Sequence, residues 1–489
     1  MKNRLTHQFI NFGCAASLRL WSVAACFVLV GLNGCDSSSV PEIVPKWQIK
    51  LGKQEEFAQD DWPSWRNGSR GGVAEGPAAP TKWTDKDNII WSVEVPGRGH
   101  SSPVVVGSQI FLTTADEKLR TQSVVCFQRK SGNMAWITRV HGGGLESNVH
   151  SKNSQATSTV VCDSERVFAL FAFDSRVQLT ALDLNGKILW TKTVGPYQSK
   201  FGYSSSPLLY GPLIIVSVDH SGGGYLAGVN RYTGDIYWRT AQPKMGSYGT
   251  PAIHKVAGKD TLFVAGGNEL AAYEPLSGKR LWGIKGLSEE CVGSPVEMNQ
   301  TIIASSGPQG RETIAVKIME NSQPVQKWRS SMSSYVPSLL VHDGLLFQVT
   351  DSGTGSCWDI ETGKMYWETR LGGEFSSSPV LSGDHIYVSN EAGVTQVFKA
   401  SKEKFQLVSR NPLGDEQMAS PAICGGRIYI RAASSAGGSR SERLYCIGEG
   451  GTGQTSGRPV PENESEDLTG KIEDPKTEQG GKAEEQAPK

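Results

Sequence analysis

The sequence has no excess of charge of either sign. Lysine plus arginine and aspartate plus glutamate each number 49 among the 489 residues, so no basic surplus predicts binding to nucleic acid. There is no Cys-x-x-Cys-His motif among its nine cysteines, which excludes covalent attachment of haem. The apolar run from Leu20 to Leu32 is short for a membrane span.

The first 34 residues have the pattern of a signal peptide. Lys2 and Arg4 give a positive start, and the apolar run ends in Leu32-Asn33-Gly34-Cys35. This ending resembles a bacterial lipobox, in which Cys35 would carry the lipid. We therefore expect a lipoprotein signal peptide over residues 1–34 and a polar tether over residues 35–60. A signal peptide without lipid is the alternative.

A four-strand unit recurs along most of the chain. The stretch from Ser206 to Trp238 predicts short strands separated by glycine-containing turns. Its first strand opens with a proline, or once a threonine, at Pro103, Thr159, Pro207, Pro251, Pro295, Pro337, Pro379 and Pro421. The openings are 42 to 56 residues apart, a spacing typical of propeller blades. The prediction is an all-β, eight-bladed β-propeller of four-stranded blades over residues 61–448.

Two side-chain positions repeat with the unit. The fourth strand carries a tryptophan at Trp91, Trp136, Trp190, Trp238, Trp282, Trp328 and Trp367, and Phe405 marks the weakest copy. The third strand carries a small residue at Cys126, Ala181, Gly228, Ala272, Ala315, Cys357, Val397 and Cys446. A position restricted to small side chains indicates tight packing between blades. We expect each tryptophan to cover a junction between neighbouring blades.

The order of the strands predicts how the ring closes. Trp91 precedes the first opening, and no fourth strand follows Leu444–Ile447. The strand Ile89–Val95 is therefore predicted to complete the last blade, which removes exposed sheet edges. Asp61–Gly72, with two tryptophans, is expected to pack on the flank of the ring. Residues 449–489 contain almost no large apolar residues and are predicted to be disordered.

The loops before the strand openings are expected to form a funnel around the axis. They place aromatic or polar residues there, and the candidates for binding a ligand or partner are His100, His150, Lys152, Asn153, Tyr203, Tyr248, Tyr335 and Phe375. The alternative is that the aromatic residues simply fill the channel. These loops show no cluster of acidic residues, and the irregular spacing of His141, Glu146 and His150 does not predict a metal site.

The repeat resembles a known family. Ala181–Trp190 and Trp358–Trp367 resemble the pyrroloquinoline-quinone (PQQ) repeat, which quinoprotein dehydrogenases share with lipid-anchored propellers such as BamB of the outer-membrane β-barrel assembly machinery. The Trp-Pro-x-Trp-Arg sequence at residues 62–66, together with His150-Ser151-Lys152-Asn153, resembles PQQ-like propellers of planctomycete-type bacteria.

The resemblance implies two different functions. A quinoprotein dehydrogenase needs PQQ, Ca²⁺ and a carboxylate base, and usually has a disulfide between adjacent cysteines, but this sequence has no adjacent pair. We therefore favour a non-catalytic, monomeric scaffold without a cofactor. It would be lipid-anchored outside the cytoplasm, on the periplasmic face of a membrane, with protein partners as in outer-membrane protein assembly. A PQQ-dependent oxidoreductase and a small-ligand-binding propeller are the alternatives.

Overall fold

The chain forms a ring of eight antiparallel sheets. The computed structural model describes residues 49–52, 54–198, 200–307, 310–435 and 438–455. The predicted signal peptide and Cys35 therefore lie outside the described residues. Seven sheets have four strands and one has five, as predicted for an eight-bladed propeller apart from the fifth strand. No helix among the described residues is long and apolar enough to cross a membrane.

The described residues contain 33 strands. Blade one has β2 (Val104–Val106), β3 (Gln109–Asp116), β4 (Thr121–Gln128) and β5 (Met134–Gly142); blade two has β6 (Val161–Cys162), β7 (Arg166–Phe173), β8 (Arg176–Asp183) and β9 (Ile188–Pro196). Blade three has β10 (Leu208–Tyr210), β11 (Leu213–Val218), β12 (Tyr225–Asn230) and β13 (Ile236–Ala241); blade four has β14 (Ala252–Val256), β15 (Lys259–Gly266), β16 (Glu269–Tyr273) and β17 (Arg280–Lys285). Blade five has β18 (Val296–Met298), β19 (Thr301–Ser305), β20 (Thr313–Ile318) and β21 (Pro324–Ser330); blade six has β22 (Leu340–His342), β23 (Leu345–Val349), β24 (Thr354–Asp359) and β25 (Met365–Arg370). Blade seven has β26 (Val380–Ser382), β27 (His385–Ser389), β28 (Val394–Lys399) and β29 (Leu407–Pro412); blade eight has β30 (Ala422–Cys424), β31 (Arg427–Ser434), β32 (Ser441–Ile447), β1 (Ile89–Val95) and β33 (Thr452–Thr455).

The predicted closure of the ring is confirmed. Strand β1 pairs antiparallel with β32, from Ile89 opposite Ile447 to Val95 opposite Glu442. Strand β33 then adds to the outer side of β1 in a parallel arrangement. The ordered chain therefore extends to Thr455, into the segment from residue 449 that we predicted to be disordered. Residues 456–489 lie outside the described part of the chain.

A buried ion pair joins the last blade to the first. The Arg431 guanidinium lies 2.6 Å from Glu442 and also donates to the carbonyl of Thr113 in blade one. Glu442 in turn accepts the backbone N–H of Gly99. Burial lowers the pKa of Arg431, and the neighbouring Glu442 opposes that shift. Both charges thus have hydrogen-bond partners in the interior, which offsets part of the cost of removing them from water.

A chain of hydroxyl groups runs around the central channel. Each of these residues lies two positions before an inner strand, and in six blades its hydroxyl accepts a backbone N–H from the same position in the preceding blade. The links of 2.8 to 3.0 Å are Ser102 to Thr159, Thr159 to Ser206, Ser206 to Thr250, Ser294 to Ser338, Ser338 to Ser378 and Ser378 to Ser420, each named from donor to acceptor.

The hydroxyl chain corrects the predicted register at two blades. Thr159 takes the hydroxyl position, so Val160 occupies the place of the opening proline. In blade six Ser338 takes the hydroxyl position, so Leu339, rather than Pro337, is equivalent to the other opening prolines. The proline was a misleading marker because the shared requirement is an acceptor for a buried N–H.

The outer-strand tryptophans cover the junctions between blades, as predicted. Trp238 lies opposite Gly228, where an added Cβ would come within 2.3 Å of the indole. The same ring packs on the turn glycine of blade four, Gly278, where an added Cβ would lie 2.2 Å from it. Equivalent contacts join Trp91 to Gly132, Trp136 to Gly186, Trp190 to Gly234 and Trp328 to Gly363. The small third-strand residues are thus also required by the tryptophan that lies across from them.

Blade seven obtains its aromatic residue from another part of the chain. Ser409, and not Phe405, lies opposite Val397 at the tryptophan position. Trp83 stacks on Tyr387 at a ring distance of 6.5 Å, in the way that the other tryptophans contact the aromatic residue of the second strand. The segment before β1 therefore supplies the side chain that β29 lacks.

We expected the segment Asp61–Gly72 to pack on the flank of the ring. It crosses the base of the channel instead. Trp62 pairs with Val105 in blade one. Farther along, the short 3-10 segment Trp65–Arg70 reaches the opposite side. There, buried Arg66 donates to the carbonyls of Leu339 and Pro379 in blades six and seven. Sequence patterns could not reveal this path because its partners are backbone groups of distant blades.

Candidate functional site: the central funnel

A cavity of about 550 Å³ occupies the channel above the segment that crosses the base. Trp65 forms part of its floor and donates its indole N–H to Ser294 at 3.1 Å. Six of the eight predicted site residues line the cavity: His100, His150, Lys152, Asn153, Tyr248 and Tyr335. The propeller thus brings together residues that are up to 235 positions apart, from 100 to 335.

One wall of the funnel is aromatic. The loop between β5 and β6 places His150 against Phe201, with ring centres 5.7 Å apart and the planes nearly perpendicular. Phe201 also contacts Tyr248 at 5.7 Å. Asn153 fixes this arrangement, because its amide donates to the carbonyl of Phe201 at 2.9 Å. These side chains present an apolar surface with polar edges, which is typical of binding sites.

The facing wall combines aromatic and acidic groups. Tyr335 donates its hydroxyl to Glu290 at 3.1 Å. Asp351 accepts the backbone N–H groups of Tyr335 and Val336 at 2.7 and 3.0 Å. Burial raises the pKa of Asp351, although these hydrogen bonds oppose the shift. Burial and the nearby Glu290 also raise the pKa of the Tyr335 hydroxyl, which therefore stays protonated and able to donate.

The mouth of the funnel is bridged by Lys152. Its ammonium lies 2.9 Å from Glu391 and also bonds Glu374. Burial tends to lower the pKa of Lys152, but the hydrogen bonds to the two carboxylates outweigh it and raise the pKa. A second lysine, Lys200, bonds Glu290 at 2.9 Å.

His100 lies at the edge of the funnel beside a cluster of arginines. Burial holds its pKa well below the ordinary value, and Arg98, Arg431 and Arg440 shift it in the same direction. The imidazole is therefore neutral at physiological pH. Its Nε2 is 3.9 Å from Glu416 and makes no hydrogen bond among the described residues.

Two predicted site residues lie in the core instead of the funnel. The Tyr203 hydroxyl donates to the carbonyl of Ser217, and its ring contacts Tyr197. Phe375 is 1% exposed and packs between blades six and seven. In both loops these side chains point into the hydrophobic core. Phe201 and Ser376 line the cavity in their place.

Two of the four acidic groups of the funnel lie outside the loops that the sequence analysis considers. Glu290 and Glu374 come from the loops before inner strands, whereas Asp351 and Glu391 come from turns after the second strand. The turns after the second strands thus supply half of the funnel carboxylates. The missed signal was an acidic residue two positions after β23 and two positions after β27.

The carboxylates of the funnel do not fit a hard-cation site. Glu374 and Glu391 are held by Lys152, and Asp351 is held by two backbone N–H groups. No group of three or more histidine, cysteine, aspartate or glutamate residues could hold a metal ion in the described part of the chain. His141 stacks on Phe173 with the ring centres 4.5 Å apart and is not part of such a group.

The family and structural comparisons agree with this architecture. The chain shares its fold with BamB from Moraxella catarrhalis at 16% identity and a TM-score of 0.54, covering 73% of this chain and 99% of that one. The chain also shares its fold with a europium-containing methanol dehydrogenase at 13% identity and a TM-score of 0.59, covering 80% of this chain and 98% of that one. A quinohemoprotein alcohol dehydrogenase from Comamonas testosteroni matches at 12% identity and a TM-score of 0.58, covering 82% of each chain. These identities show the fold alone.

A comparison with curated proteins finds no significant match. The family described as outer membrane protein assembly factor BamB matches residues 64–201, 120–354 and 326–435. Together these matches run from residue 64 to residue 435, more than half of the 489 residues. The chain belongs to the outer membrane protein assembly factor BamB family.

Proposed function

We propose that the protein is a non-catalytic binding platform outside the cytoplasm that presents its funnel to protein partners in outer-membrane protein assembly. The observation that carries this proposal is the chemistry of the funnel, whose carboxylates are all engaged by lysines, a tyrosine or backbone N–H groups. Its exposed surface is aromatic with polar edges, the composition favoured in the cores of protein interfaces.

The path of the N-terminal segment supports the same role. It enters at the base of the ring, where Trp62 and Arg66 contact inner strands, and the funnel opens at the other end. We propose that Cys35 carries a lipid and that residues 36–60 tether the ring to a membrane. Attachment at the base leaves the funnel accessible to a partner.

Site-specific photo-crosslinking in membranes tests the proposal. Benzoylphenylalanine at Phe201 or Tyr335 should form adducts with an outer-membrane protein or a component of its assembly machinery. The same group at Tyr232, exposed on an outer turn of blade three, is the control. Identical adducts from all three positions, or adducts from Tyr232 alone, would contradict a partner at the funnel.

A PQQ-dependent oxidoreductase is the second candidate, favoured by the shared fold with two dehydrogenases. Such an enzyme requires a metal cation beside the quinone, and the funnel carboxylates are already occupied by other groups. We therefore rank it below the binding platform. A third candidate, a small-ligand binder, uses the same funnel without catalysis.

A further inference from the structure

Lys152 behaves as an internal ligand of the funnel. It lies on the loop between β5 and β6, whereas its partners Glu374 and Glu391 belong to blade seven. The ammonium therefore reaches over the channel to carboxylates on another side of the ring. The loop is held nearby by a hydrogen bond from Arg98 to the carbonyl of Ser151 at 2.9 Å.

A second lysine repeats this mode of recognition. The ammonium of Lys200 lies 4.6 Å from the centre of the Phe201 ring and 2.9 Å from Glu290. A carboxylate beside an aromatic face is a favourable environment for an organic cation. Two ammonium groups of the chain thus bind the walls of the funnel: Lys152 lines the cavity, and the exposed Lys200 bonds the lining carboxylate of Glu290 from outside.

The net charge of the funnel determines whether it attracts a cationic or an anionic ligand. Glu290, Asp351, Glu374 and Glu391 line the cavity, and Lys152 and Lys200 bind three of these four carboxylates. Four negative and two positive groups leave a formal excess of two negative charges. No arginine lines the cavity among the described residues. Such a concave, negatively charged site attracts cations and repels anions.

We propose that the funnel binds an aliphatic ammonium or guanidinium group on a partner protein, which displaces Lys152 from Glu374 and Glu391. The source of the group rests on the proposed function. Lys152 is half-exposed and Glu374 is exposed. The Lys152–Glu374 pair is of the exposed kind that contributes little net free energy, and the incoming cation takes over the bond to Glu391, which is only 16% exposed. The tyrosine and phenylalanine faces contact the aliphatic part of the side chain.

Calorimetric titration of the purified full-length protein tests this inference. The probes are a blocked Ala-Lys-Ala tripeptide, the same peptide with uncharged norleucine, and putrescine. The lysine peptide should bind, and Lys152→Met should tighten its binding roughly 2- to 5-fold because the internal competitor is removed. In that background, Glu391→Gln should weaken binding roughly tenfold or more.

A matched control is Lys327→Met, which removes an exposed lysine that bonds Glu361 outside the funnel and should leave binding unchanged. Equal affinity for the lysine and norleucine peptides, or no tightening by Lys152→Met, would overturn the proposal. Tighter binding of putrescine than of the tripeptide would assign the site to free amines and overturn the protein source. If crosslinks from Phe201 persist while no cation binds, this inference fails and the proposed function stands.

Discussion

An outer-strand tryptophan such as Trp238 connects two blades through one side chain. Trp238 is 1% exposed, whereas Trp190 is only partly buried, so the equivalent positions differ in how much apolar surface they remove from water. Since the hydrophobic free energy scales with the buried area, the same substitution should have unequal effects around the ring.

Trp238→Ala should lower the free energy of unfolding by about 3–5 kcal/mol, because it removes a fully buried aromatic side chain and leaves a cavity. Trp190→Ala should cost less because that ring is partly exposed. Chemical denaturation of both variants measures the difference. A loss below about 1 kcal/mol for Trp238→Ala would show that this indole does not hold blades three and four together.

His141 should make the stability dependent on pH. Burial lowers its pKa to about 4, while the unfolded chain has the ordinary value near 6.5. The unfolded state therefore binds more protons between these values, and the free energy of unfolding falls as the pH falls from about 6.5 to 4. A shift of this size is worth at most about 3 kcal/mol.

His141→Phe should reduce that loss while keeping the stacking on Phe173. Denaturation of both proteins at pH 7 and pH 4.5 gives the comparison, because the imidazole contributes no penalty at the higher pH. Equal losses in the two proteins would mean that the His141 imidazole does not resist protonation in the fold.

At the scale of the strand, the hydroxyl chain ties neighbouring inner strands to one another. Ser378→Ala should cost about 1–3 kcal/mol because the buried N–H of Ser338 loses its acceptor. Ser102→Ala is the control, since the Ser102 hydroxyl has no hydrogen-bond partner among the described residues. Thermal unfolding of both variants measures the effect, and equal changes would argue against a structural role for the links.

Closure depends on β1 much more than on β33. Val93 is fully buried and pairs with Leu444, so Val93→Asp should prevent the ring from closing and cause aggregation. Truncation after Gly448 removes, among the described residues, the short parallel strand β33 and should lower the melting temperature slightly. A soluble Val93→Asp protein with an unchanged melting temperature would contradict the need for β1.

The elements predicted from sequence are those governed by local patterns. Strand runs, turn glycines and the recurrent tryptophans are set by neighbours within one blade, and they identified eight blades and the closure by Ile89–Val95. Two other features depend on contacts with residues more than 270 positions away: Arg66 bonds Leu339, and Trp83 takes the place of an outer-strand tryptophan by stacking on Tyr387. No local spacing reports such contacts.

The site was predictable to a similar extent. The loops before inner strands had to meet at the axis, so six candidates were found in the funnel. Tyr203 and Phe375 were misplaced because a loop without period-two alternation does not show which side chains face inward. Asp351 and Glu391 were missed because their turns join the second and third strands.

For the whole molecule, the binding-platform proposal predicts no response to the dehydrogenase cofactors. PQQ with Ca²⁺ should not raise the melting temperature, since a ligand that binds only the folded state would stabilise it. Simple alcohols and sugars should not reduce an artificial electron acceptor. A reproducible rise that a chelator abolishes, accompanied by turnover, would favour the oxidoreductase, with Glu290 in the funnel as its candidate base.

Because β1 belongs to blade eight, the ring can close only after the last blade has been synthesised. Ile89 pairs with Ile447, 358 residues later in the chain. At about 5–20 residues per second, the first strand waits roughly 20 to 70 seconds for its partner during synthesis. A strand that lacks its partner during that interval is prone to aggregation. Closure also requires a complete propeller, because a chain that ends before β32 leaves β1 without its antiparallel partner and the ring open.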